Sequence, residues 1–313
     1  MINYIPLFHV ITILHNTANQ RIDNFIRSKI YKISKNTLYK IIRIGIIKIN
    51  KKKVQPNYKL KIGDILYIPN YLIKKYNQKN ITLDEKIKNK ILSSIIYEDK
   101  YLLIINKPTG IAVHGGSGLK FGIIESLRLL KPNIKYLELV HRLDRHTSGI
   151  LILAKKKSAL KYLHEQFRNQ IIIKKYIALI HGNLSKKKEI VQQPLIKNKY
   201  HKKKIVQIHN QGKKSKTIFI LKKNFISYAM VSIYPKTGRT HQIRVHASYI
   251  GHPIIFDHDY GNKFLDLKIN PNYQIQNMLL HASKIIFYHP QSHQKTCIYV
   301  PLGKRFKKYL QIK

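Results

Sequence analysis

A single aspartate lies within a strongly basic stretch of the sequence, HRLDRH. Asp144 stands between Arg142 and Arg145, and His141 and His146 occupy the two ends of the stretch. The chain contains 14 Asp plus Glu against 59 Lys plus Arg, so a carboxylate is unusual here. Positive charges on both sides would keep Asp144 ionised at neutral pH. It is therefore a candidate nucleophile or base, and the alternative is a salt-bridged carboxylate that only stabilises a loop.

A second basic segment, PKTGRTHQIRVH, begins at Pro235 with a predicted turn and continues as a predicted helix. It offers Arg239 and Arg244 close to a helix N-terminus, which is a favourable place for anions. The two segments predict a basic cleft that contains one carboxylate. Glycosidases would need a second carboxylate nearby, and nucleases a metal cluster, and the pattern indicates neither.

Metal and phosphate-loop sites are the alternatives that the histidines and glycines raise. The HPQSH segment has two histidines four apart, but its proline predicts a turn and not a metal-binding helix. The glycine-rich GIAVHGGSGLKFG lacks the Gly-Lys-Ser/Thr of a Walker loop, and Leu119 stands where a nucleophile elbow needs glycine. We expect a turn at the rim of the cleft, no metal and no cofactor.

The composition points to a polyanionic partner. The formal net charge is +45, and an AT-rich codon bias would enrich Glu as readily as Lys, so bias alone does not explain it. Hydrophobic residues make up 44% of the chain, enough to bury a core. The lone Cys297 fits a reducing compartment, and no apolar run approaches the roughly 18 residues of a membrane span. We expect a cytoplasmic monomer that binds nucleic acid and no membrane.

Residues 19–69 are predicted to form a small N-terminal domain, preceded by an extension with one strand over residues 1–18. Ile22, Phe25, Ile26 and Ile30 recur at helical spacing, and Ser34 is a candidate N-cap for a second helix that ends near Gly45. The helical positions Leu38, Ile41 and Ile42 are predicted to face inward, and two short strands with tight turns follow.

These elements resemble the αL RNA-binding module first described in a ribosomal small-subunit protein. The alternative is a small helical cap with solvated lysines. The resemblance implies RNA contacts from five basic side chains, namely Arg21, Arg27, Lys51, Lys52 and Lys53.

Residues 70–94 are polar without a strong period and predict a linker with a short helix. Residues 95–313 are predicted to form the second domain. Strand patterns, including YLLIIN, GILILA and YAMVSIYP, outnumber helix patterns and show no regular strand–helix alternation. We therefore predict an α+β fold with a mixed, largely antiparallel sheet and helices on its faces.

Four segments, in order, give this domain a specific resemblance: NKPTGIAVHGG, HRLDRHTSGILILAKK, KKYIALIHG and GRTHQIRVH. They resemble the motifs of the RluA-type pseudouridine synthases. The resemblance implies isomerisation of chosen uridines in 23S rRNA or its assembly precursor, without cofactor or metal. It implies that Asp144 is the catalytic aspartate, that Arg244 pairs with it, and that Tyr176 stacks on the uracil. Arg142 would help to fill the gap left by the extruded base, and Arg145 and Arg239 would contact RNA.

One residue departs from the family pattern. His146 stands where these enzymes usually carry a second acid, which leaves Asp144 as the only carboxylate of its loop. The exchange also raises the local positive charge, which would disfavour the loop conformation. Two other functions stay open at this point: a non-catalytic rRNA-binding assembly factor and a tRNA-directed synthase of the same fold. The residues also leave open whether Asp144 attacks the sugar, attacks the base or removes a ribose proton.

Overall fold

The computed structural model describes residues 8–15, 17–29, 35–72, 83–115, 121–200, 203–272 and 276–310. The chain divides into two compact units, Met1–Thr82 and Leu83–Lys313. The predicted linker, residues 70–94, spans this division. Two positions used in the sequence argument, Ile30 and Ser34, lie outside the described residues.

The N-terminal unit packs two amphipathic helices on a small antiparallel sheet of order β1-β3-β2. Its elements are β1 (Phe8–Thr12), α1 (Ile22–Lys29), α2 (Lys35–Arg43), β2 (Lys48–Ile49), β3 (Ile65–Pro69) and the 3-10 helix η1 (Asn70–Leu72). The residues predicted to face inward are buried in one core with strand residues, namely Ile22, Phe25, Ile26, Leu38, Ile41 and Ile42. The helical spacing therefore predicted both helices and the faces that they bury.

Helix α2 ends at the predicted glycine. Gly45 has φ +82°, a left-handed conformation that glycine adopts without strain. The Gly45 amide donates to Ile42 O at 3.1 Å, and the Ile46 amide donates to Ile41 O at 3.0 Å. These two bonds satisfy the last helical carbonyls and turn the chain towards β2.

The C-terminal unit is built on one large sheet of order β4-β5-β7-β14-β8-β13-β12-β9, with β6 paired to β7 and β15 paired to β14. Among the described strands, every pair in this sheet is antiparallel except β7 with β14. The prediction of a mixed, largely antiparallel sheet is confirmed. The strands are β4 (Ile95–Glu98), β5 (Leu102–Lys107), β6 (Glu138–Leu139), β7 (Ser148–Ala154), β8 (Ile173–His181), β9 (Lys188–Val191), β12 (Thr217–Asn224), β13 (Tyr228–Pro235), β14 (Leu280–Tyr288) and β15 (Lys295–Tyr299).

The strand β14 lies in the middle of the sheet, between β7 and β8. It runs parallel to β7 over a short stretch, where Ser148 and Gly149 pair with His281 and Ala282. The two backbones come very close, because a Cβ built on Gly149 would lie 2.2 Å from Ala282 O. Only glycine fits this position. It lies at the start of β7, just after the loop that carries Asp144.

Helices cover both faces of the sheet: α3 (Glu85–Leu92), α4 (Ile123–Leu130), α5 (Lys157–Arg168), α6 (Gln242–Tyr249), α7 (Lys263–Ile269) and α8 (Lys304–Leu310). Strand β5 is apolar on both sides because Leu103 and Ile105 pack with α3 and α4, whereas Leu102 and Ile104 pack with α5. Helix α6 packs through Ile243 and Ala247 against β8 and β13. The structure thereby sets α6 beside the strand that carries Tyr176.

Some elements were not predicted from the sequence. They are helix α7, strand β9 and a separate hairpin, β10 (Leu195–Tyr200) with β11 (Lys203–Ile208). Within the described parts of the chain, no helix is long and apolar enough to cross a membrane.

Candidate active site

Asp144 lies in the loop between β6 and β7, residues 140–147, which we call the aspartate loop. Three hydrogen bonds join this loop to the turn that follows β5. The Gly110 amide donates to Arg145 O at 2.8 Å, Arg145 Nε donates to Gly110 O at 2.9 Å, and Thr109 Oγ1 donates to His146 O at 2.7 Å. The Arg145 side chain is therefore bonded to the turn after β5 through its Nε, and it does not line the pocket described below.

A fully buried lysine supports the same contact. Lys107 Nζ donates to Pro108 O at 2.8 Å, Ile111 O at 2.9 Å and Arg145 O at 3.2 Å. Burial lowers the pKa of Lys107 to about 7, and the nearby negative charge of Asp144 opposes that change. The Lys107 side chain therefore fixes the aspartate loop by bonding to the backbone of the loop, and it does not pair with the charged side chains of the loop.

Arg244, on the first turn of α6, is the central cation of the site. Its Nε and Nη2 donate to the two oxygens of Asp257 at 2.7 and 2.6 Å, and Nη2 also donates to Asp259 Oδ2 at 2.8 Å. Burial alone would lower the pKa of Arg244, but the hydrogen bonds and charge of Asp257 raise it above its ordinary value. The guanidinium is therefore a permanent cation with a fixed orientation, and its centre lies 4.9 Å from the Tyr260 ring centroid.

Asp144 meets this cation from the pocket side. Arg244 Nη1 lies 3.4 Å from Asp144 Oδ2, so the two residues are brought together as predicted. The two arginines that flank Asp144 in the sequence, Arg142 and Arg145, are not its ion-pair partners. In the described residues the ion pairs of Asp144 are with Arg244 and, at 3.9 Å, with His241 Nε2.

The sequence argument also missed Asp257 and Asp259, since it found no second carboxylate near Asp144. They lie in the segment FDHDYG, which follows α6 and whose Phe256 has the left-handed φ of +60°. Two acids within three residues, in a chain with 14 acids, were the available signal. Both carboxylates are bonded to Arg244, so they orient the cation and do not form a paired-acid site.

A pocket of about 490 Å³ opens in front of Asp144 and Arg244. Tyr176, from β8, lines it together with Leu143, Ile172, Phe167 and Leu280, which give one wall an apolar surface. Burial raises the pKa of the Tyr176 hydroxyl, and the negative charge of Asp144 raises it further. Tyr176 is therefore neutral at physiological pH, and a planar ligand could stack on its ring.

The pocket lining is also strongly basic. Its cationic side chains are Arg142, Arg168, Lys174, Lys236 and Arg239. Burial lowers the pKa of Lys174 to about 8, and its Nζ donates to Thr237 O at 3.3 Å. Cations on the wall of a pocket that also holds a carboxylate suit a ligand with phosphate groups.

The predicted turn before α6 is held rigid by Gln242. Its Oε1 accepts from the Arg239 amide at 3.0 Å and from Thr237 Oγ1 at 2.7 Å, while its Nε2 donates to Lys216 O and Thr217 Oγ1. The Arg239 side chain donates from Nε to Lys214 O at 3.2 Å. This arrangement fixes the turn from Lys236 to Arg239, which lines the pocket.

The histidines at the ends of the basic stretch have structural contacts. His141 Nε2 accepts from the Ile152 amide at 3.1 Å, and burial lowers the pKa of His141 to about 3, so this ring is neutral. His146 Nδ1 lies 3.0 Å from Asn277 Oδ1, outside the pocket lining. The family's usual acid is thus replaced by a side chain that bonds to the neighbouring loop.

The HPQSH segment forms the turn between β14 and β15, as predicted. In the described ranges, no group of three or more His, Cys, Asp and Glu side chains is arranged to hold a metal ion.

In the N-terminal unit, a small cavity of about 200 Å³ lies between α1 and α2 and is lined by Arg21, Asp23, Asn24, Arg27 and Tyr39. Arg21 donates from Nε and Nη2 to the two oxygens of Asp23, at 3.1 and 2.7 Å. Lys51, Lys52 and Lys53 are exposed on the turn after β2, which begins with two left-handed residues, Asn50 and Lys51. All five predicted RNA-contacting side chains are thus solvent-accessible on this unit.

Sequence comparisons agree with this division. Residues 101–249 match the RNA pseudouridylate synthase family, and residues 20–66 match the S4 domain. A ribosomal large subunit pseudouridine synthase C from Buchnera aphidicola (subsp. Acyrthosiphon pisum) is 52% identical over 96% of both chains. The protein of the same name from Salmonella typhi is 41% identical, over 98% of this chain and 97% of its own.

Solved structures show the same fold. Human RNA pseudouridylate synthase domain containing 4 superposes with a TM-score of 0.60 at 25% identity, over 72% of this chain and 94% of its own. Human RNA pseudouridylate synthase domain containing 1 gives 0.55 at 26% identity, over 66% and 82% of the two chains.

Proposed function

Because the chain belongs to the RNA pseudouridylate synthase family, RluA type, it is an RNA pseudouridine synthase, and we propose that it isomerises selected uridines of 23S rRNA. The curated relatives that align over nearly its whole length are named for the large ribosomal subunit. An S4 domain and a net charge of +45 add a means of binding structured RNA.

The observation that carries this proposal is the position of Asp144. Its carboxylate is 19% exposed at the wall of the pocket, and Oδ2 lies 3.4 Å from the permanent cation of Arg244. The pocket volume lies within the range of about 300–1,000 Å³ that is usual for small-ligand sites. A carboxylate oriented beside a permanent cation, in a pocket of this size, supports the isomerisation of an extruded nucleotide.

The reaction needs no external reagent. The bond between uracil N1 and ribose C1′ breaks, the base turns, and a bond forms between C5 and C1′. The proton that leaves C5 is matched by the proton that N1 gains, so the atoms balance within the nucleoside and solvent. We assign Asp144 as the nucleophile or base of this sequence, with Arg244 stabilising its ionised form.

The target uridine has to leave its stack in the RNA before Asp144 can reach it, at a cost of a few kcal/mol. We assign Tyr176 as the ring on which the extruded uracil stacks, since base–aromatic stacking contributes about 1–3 kcal/mol. Arg142 is exposed on the aspartate loop at the pocket edge and would enter the gap in the RNA. Arg239 would contact a phosphate next to the target. Arg145, an exposed side chain whose Nε is bonded to Gly110 O, would contact RNA outside the pocket with its remaining donors.

We propose that the N-terminal unit binds the rRNA backbone without sequence preference. Arg21, Arg27, Lys51, Lys52 and Lys53 would each neutralise a phosphate and release counterions. The protein would act as a monomer in the cytoplasm, where rRNA is assembled.

The test is to map pseudouridine on 23S rRNA and on tRNA after incubation with the purified protein. Carbodiimide-dependent stops of reverse transcription identify the modified positions. Asp144→Asn removes the negative charge with little change of shape, so stops should fall below detection while the melting temperature is kept. RNA affinity should hold or rise slightly, because a repulsive charge near phosphate is lost.

The matched control is Asp84→Asn, which makes the same chemical change at the N-cap of α3, away from the pocket, where asparagine also caps. This variant should retain full activity. Stops that persist in Asp144→Asn would contradict the assignment of Asp144. Stops on tRNA but not on 23S rRNA would show that the substrate is tRNA. Tight rRNA binding without any stops would favour a non-catalytic assembly factor.

A further inference from the structure

His241 is a side chain of the pocket to which the proposed function assigns no role. It precedes α6 with φ +51° and ψ 17°, a left-handed conformation that is unusual outside glycine. Residues held in this region are frequent at functional sites, where the surrounding structure imposes them. The imidazole is 21% exposed and lines the same pocket as Asp144.

The two ring nitrogens of His241 face different partners. Nδ1 lies 2.8 Å from the Tyr260 hydroxyl, and Nε2 lies 3.9 Å from Asp144 Oδ2. The Tyr260 oxygen also accepts from the Val206 amide, on β11, at 3.0 Å. Tyr260 therefore links the β10–β11 hairpin to His241, the residue just before α6.

These contacts favour one tautomer. The carboxylate of Asp144 favours a hydrogen on Nε2, which faces it, because the other tautomer would turn a nitrogen lone pair towards the carboxylate. Nδ1 of a neutral ring then accepts from the Tyr260 hydroxyl, while the phenol oxygen accepts from the Val206 amide.

The ring is neutral at physiological pH. Burial lowers the pKa of His241; the charge of Asp144 opposes this, that of Arg244 adds to it, and those of Asp259 and Asp257 oppose it. Tyr260 is the remaining titratable group against the ring, and burial raises its pKa. A neutral N–H donor orients a carboxylate without binding it as tightly as an imidazolium would.

Both donors approach the same oxygen of Asp144. Arg244 Nη1 and His241 Nε2 lie 3.4 and 3.9 Å from Oδ2. Within the described residues, no hydrogen bond or ion pair to Oδ1 of Asp144 is present. Catalytic hydrogen bonds are often long in the free enzyme and tighten in the substrate complex. The arrangement thus reserves Oδ1 for the reacting nucleoside.

We propose that His241 is a positioning residue for Asp144, held by Tyr260 in the tautomer that directs Nε2–H at Oδ2, so that Oδ1 is the reacting oxygen. This inference rests on the proposed function for its catalytic consequence. Its structural half, the tautomer, concerns the protein without RNA and can be judged separately.

The tautomer is tested by ¹⁵N NMR of the histidine rings in the ligand-free protein, with the His241 signals assigned by their loss in His241→Gln. We expect a protonated Nε2 and an unprotonated Nδ1 at pH 8. Tyr260→Phe, which removes the hydroxyl, should shift the signals towards a tautomer mixture. A protonated Nδ1 in the unmodified protein would overturn the proposal.

The positioning role is tested by single-turnover pseudouridine formation on 23S rRNA. His241→Ala should slow the reaction about 100-fold, the size of effect expected from a small misplacement of a reacting group. His241→Gln places an amide N–H near the position of Nε2 and should restore part of that loss. RNA affinity should stay within about twofold of the unmodified protein in both variants.

The pH profile separates positioning from a merely structural role. The unmodified protein should lose rate as pH falls through the pKa of His241, because the protonated ring can no longer accept from Tyr260. The rate of His241→Gln should lack this acid-side fall. The control is His293→Gln: His293 is also left-handed, with its Nδ1 2.9 Å from the Tyr162 hydroxyl, but it does not line the pocket, and its variant should behave as unmodified protein.

Three results would contradict the role of His241. They are an unchanged rate in His241→Ala, a Gln variant no faster than the Ala variant, and a loss of RNA affinity that accounts for the whole loss of rate. If the unmodified protein forms no pseudouridine, the proposed function fails and the role fails with it, while NMR still decides the tautomer.

Discussion

Two arginine–aspartate pairs, one in each unit, have nearly the same local geometry and very different surroundings. Arg21 with Asp23 and Arg244 with Asp257 both use Nε and Nη2 on the two carboxylate oxygens, and a tyrosine accompanies each pair. The side chain of Arg21 is 44% exposed, whereas that of Arg244 is 6% exposed. In the N-terminal pair the carboxylate is buried but the guanidinium stays accessible to phosphate, whereas the fully buried pair fixes the direction of a cation towards Asp144.

Removing the aspartate of each pair should give the largest contrast. In Asp257→Asn the buried guanidinium loses its bidentate partner, so we expect about 3–5 kcal/mol of destabilisation and at least a roughly 100-fold slower reaction. In Asp23→Asn the loss should be clearly smaller, because the guanidinium of Arg21 remains solvated. Denaturant unfolding and single-turnover rates at saturating RNA would measure both. Equal losses in the two variants would show that burial does not distinguish the pairs.

A second contrast concerns contact with the base rather than with phosphate. Tyr176→Ala should cost about 1–3 kcal/mol of substrate binding, and Tyr176→Phe should keep most of it, because the phenyl ring still stacks. The loss should be independent of salt, unlike losses caused by removing surface cations. RNA titrations at two salt concentrations would measure it, with the exposed Tyr299→Ala as control. Equal binding by the Phe and Ala variants would mean that this ring does not contact the uracil.

Lys107 extends the contrast to a buried cation without a carboxylate partner. Its pKa is about 7 in the folded protein against an ordinary value near 10.5, so the unfolded chain binds the proton more tightly over that interval. Stability should therefore rise as pH increases from 7 towards 10, by up to about 1 kcal/mol per pH unit. Lys107→Met should remove this rise, and the exposed Lys161→Met should not. A pH-independent difference in melting temperature between Lys107→Met and the unmodified protein would contradict the shift.

The smallest effect is expected at the N-terminal surface. Arg27→Gln combined with Lys52→Gln removes two exposed cations, so the slope of log affinity against log salt should fall by about 1.5. The rate at saturating RNA should not change. Binding isotherms from 50 to 200 mM salt would test this, with Lys161→Gln as control. An unchanged slope would exclude these side chains from the RNA contact.

Local patterns in the sequence were sufficient for much of the fold. The spacing of Ile22, Phe25 and Ile26 predicted both α1 and its buried face, and Gly45 predicted the end of α2. The mixed sheet followed from the number of short apolar runs. The hairpin β10–β11 was missed because its lysine-rich strands pack little apolar surface, so their periodicity is weak.

The site was predicted less completely than the fold. Asp144, Tyr176 and Arg244 lie in one pocket, as the motif resemblance implied. The partners of Asp144 could not be found from neighbours in sequence, since chain turning directs Arg145 to Gly110 and leaves Arg142 exposed. Asp257 was missed because its contact with Arg244 depends on the left-handed turn at Phe256, which no local pattern announces.

The central position of β14 also sets the order in which the protein can be made. Its residues 280–288 pair with β7 and β8, more than a hundred positions earlier in the chain, so these strands stay unpaired on that side during most of synthesis. Long-range pairings of this kind fold slowly and expose apolar edges to aggregation. Leu280 lines the pocket, so a nascent chain that still lacks β14 has no finished site. The site is therefore completed only after residues 280–288 have left the ribosome that makes them.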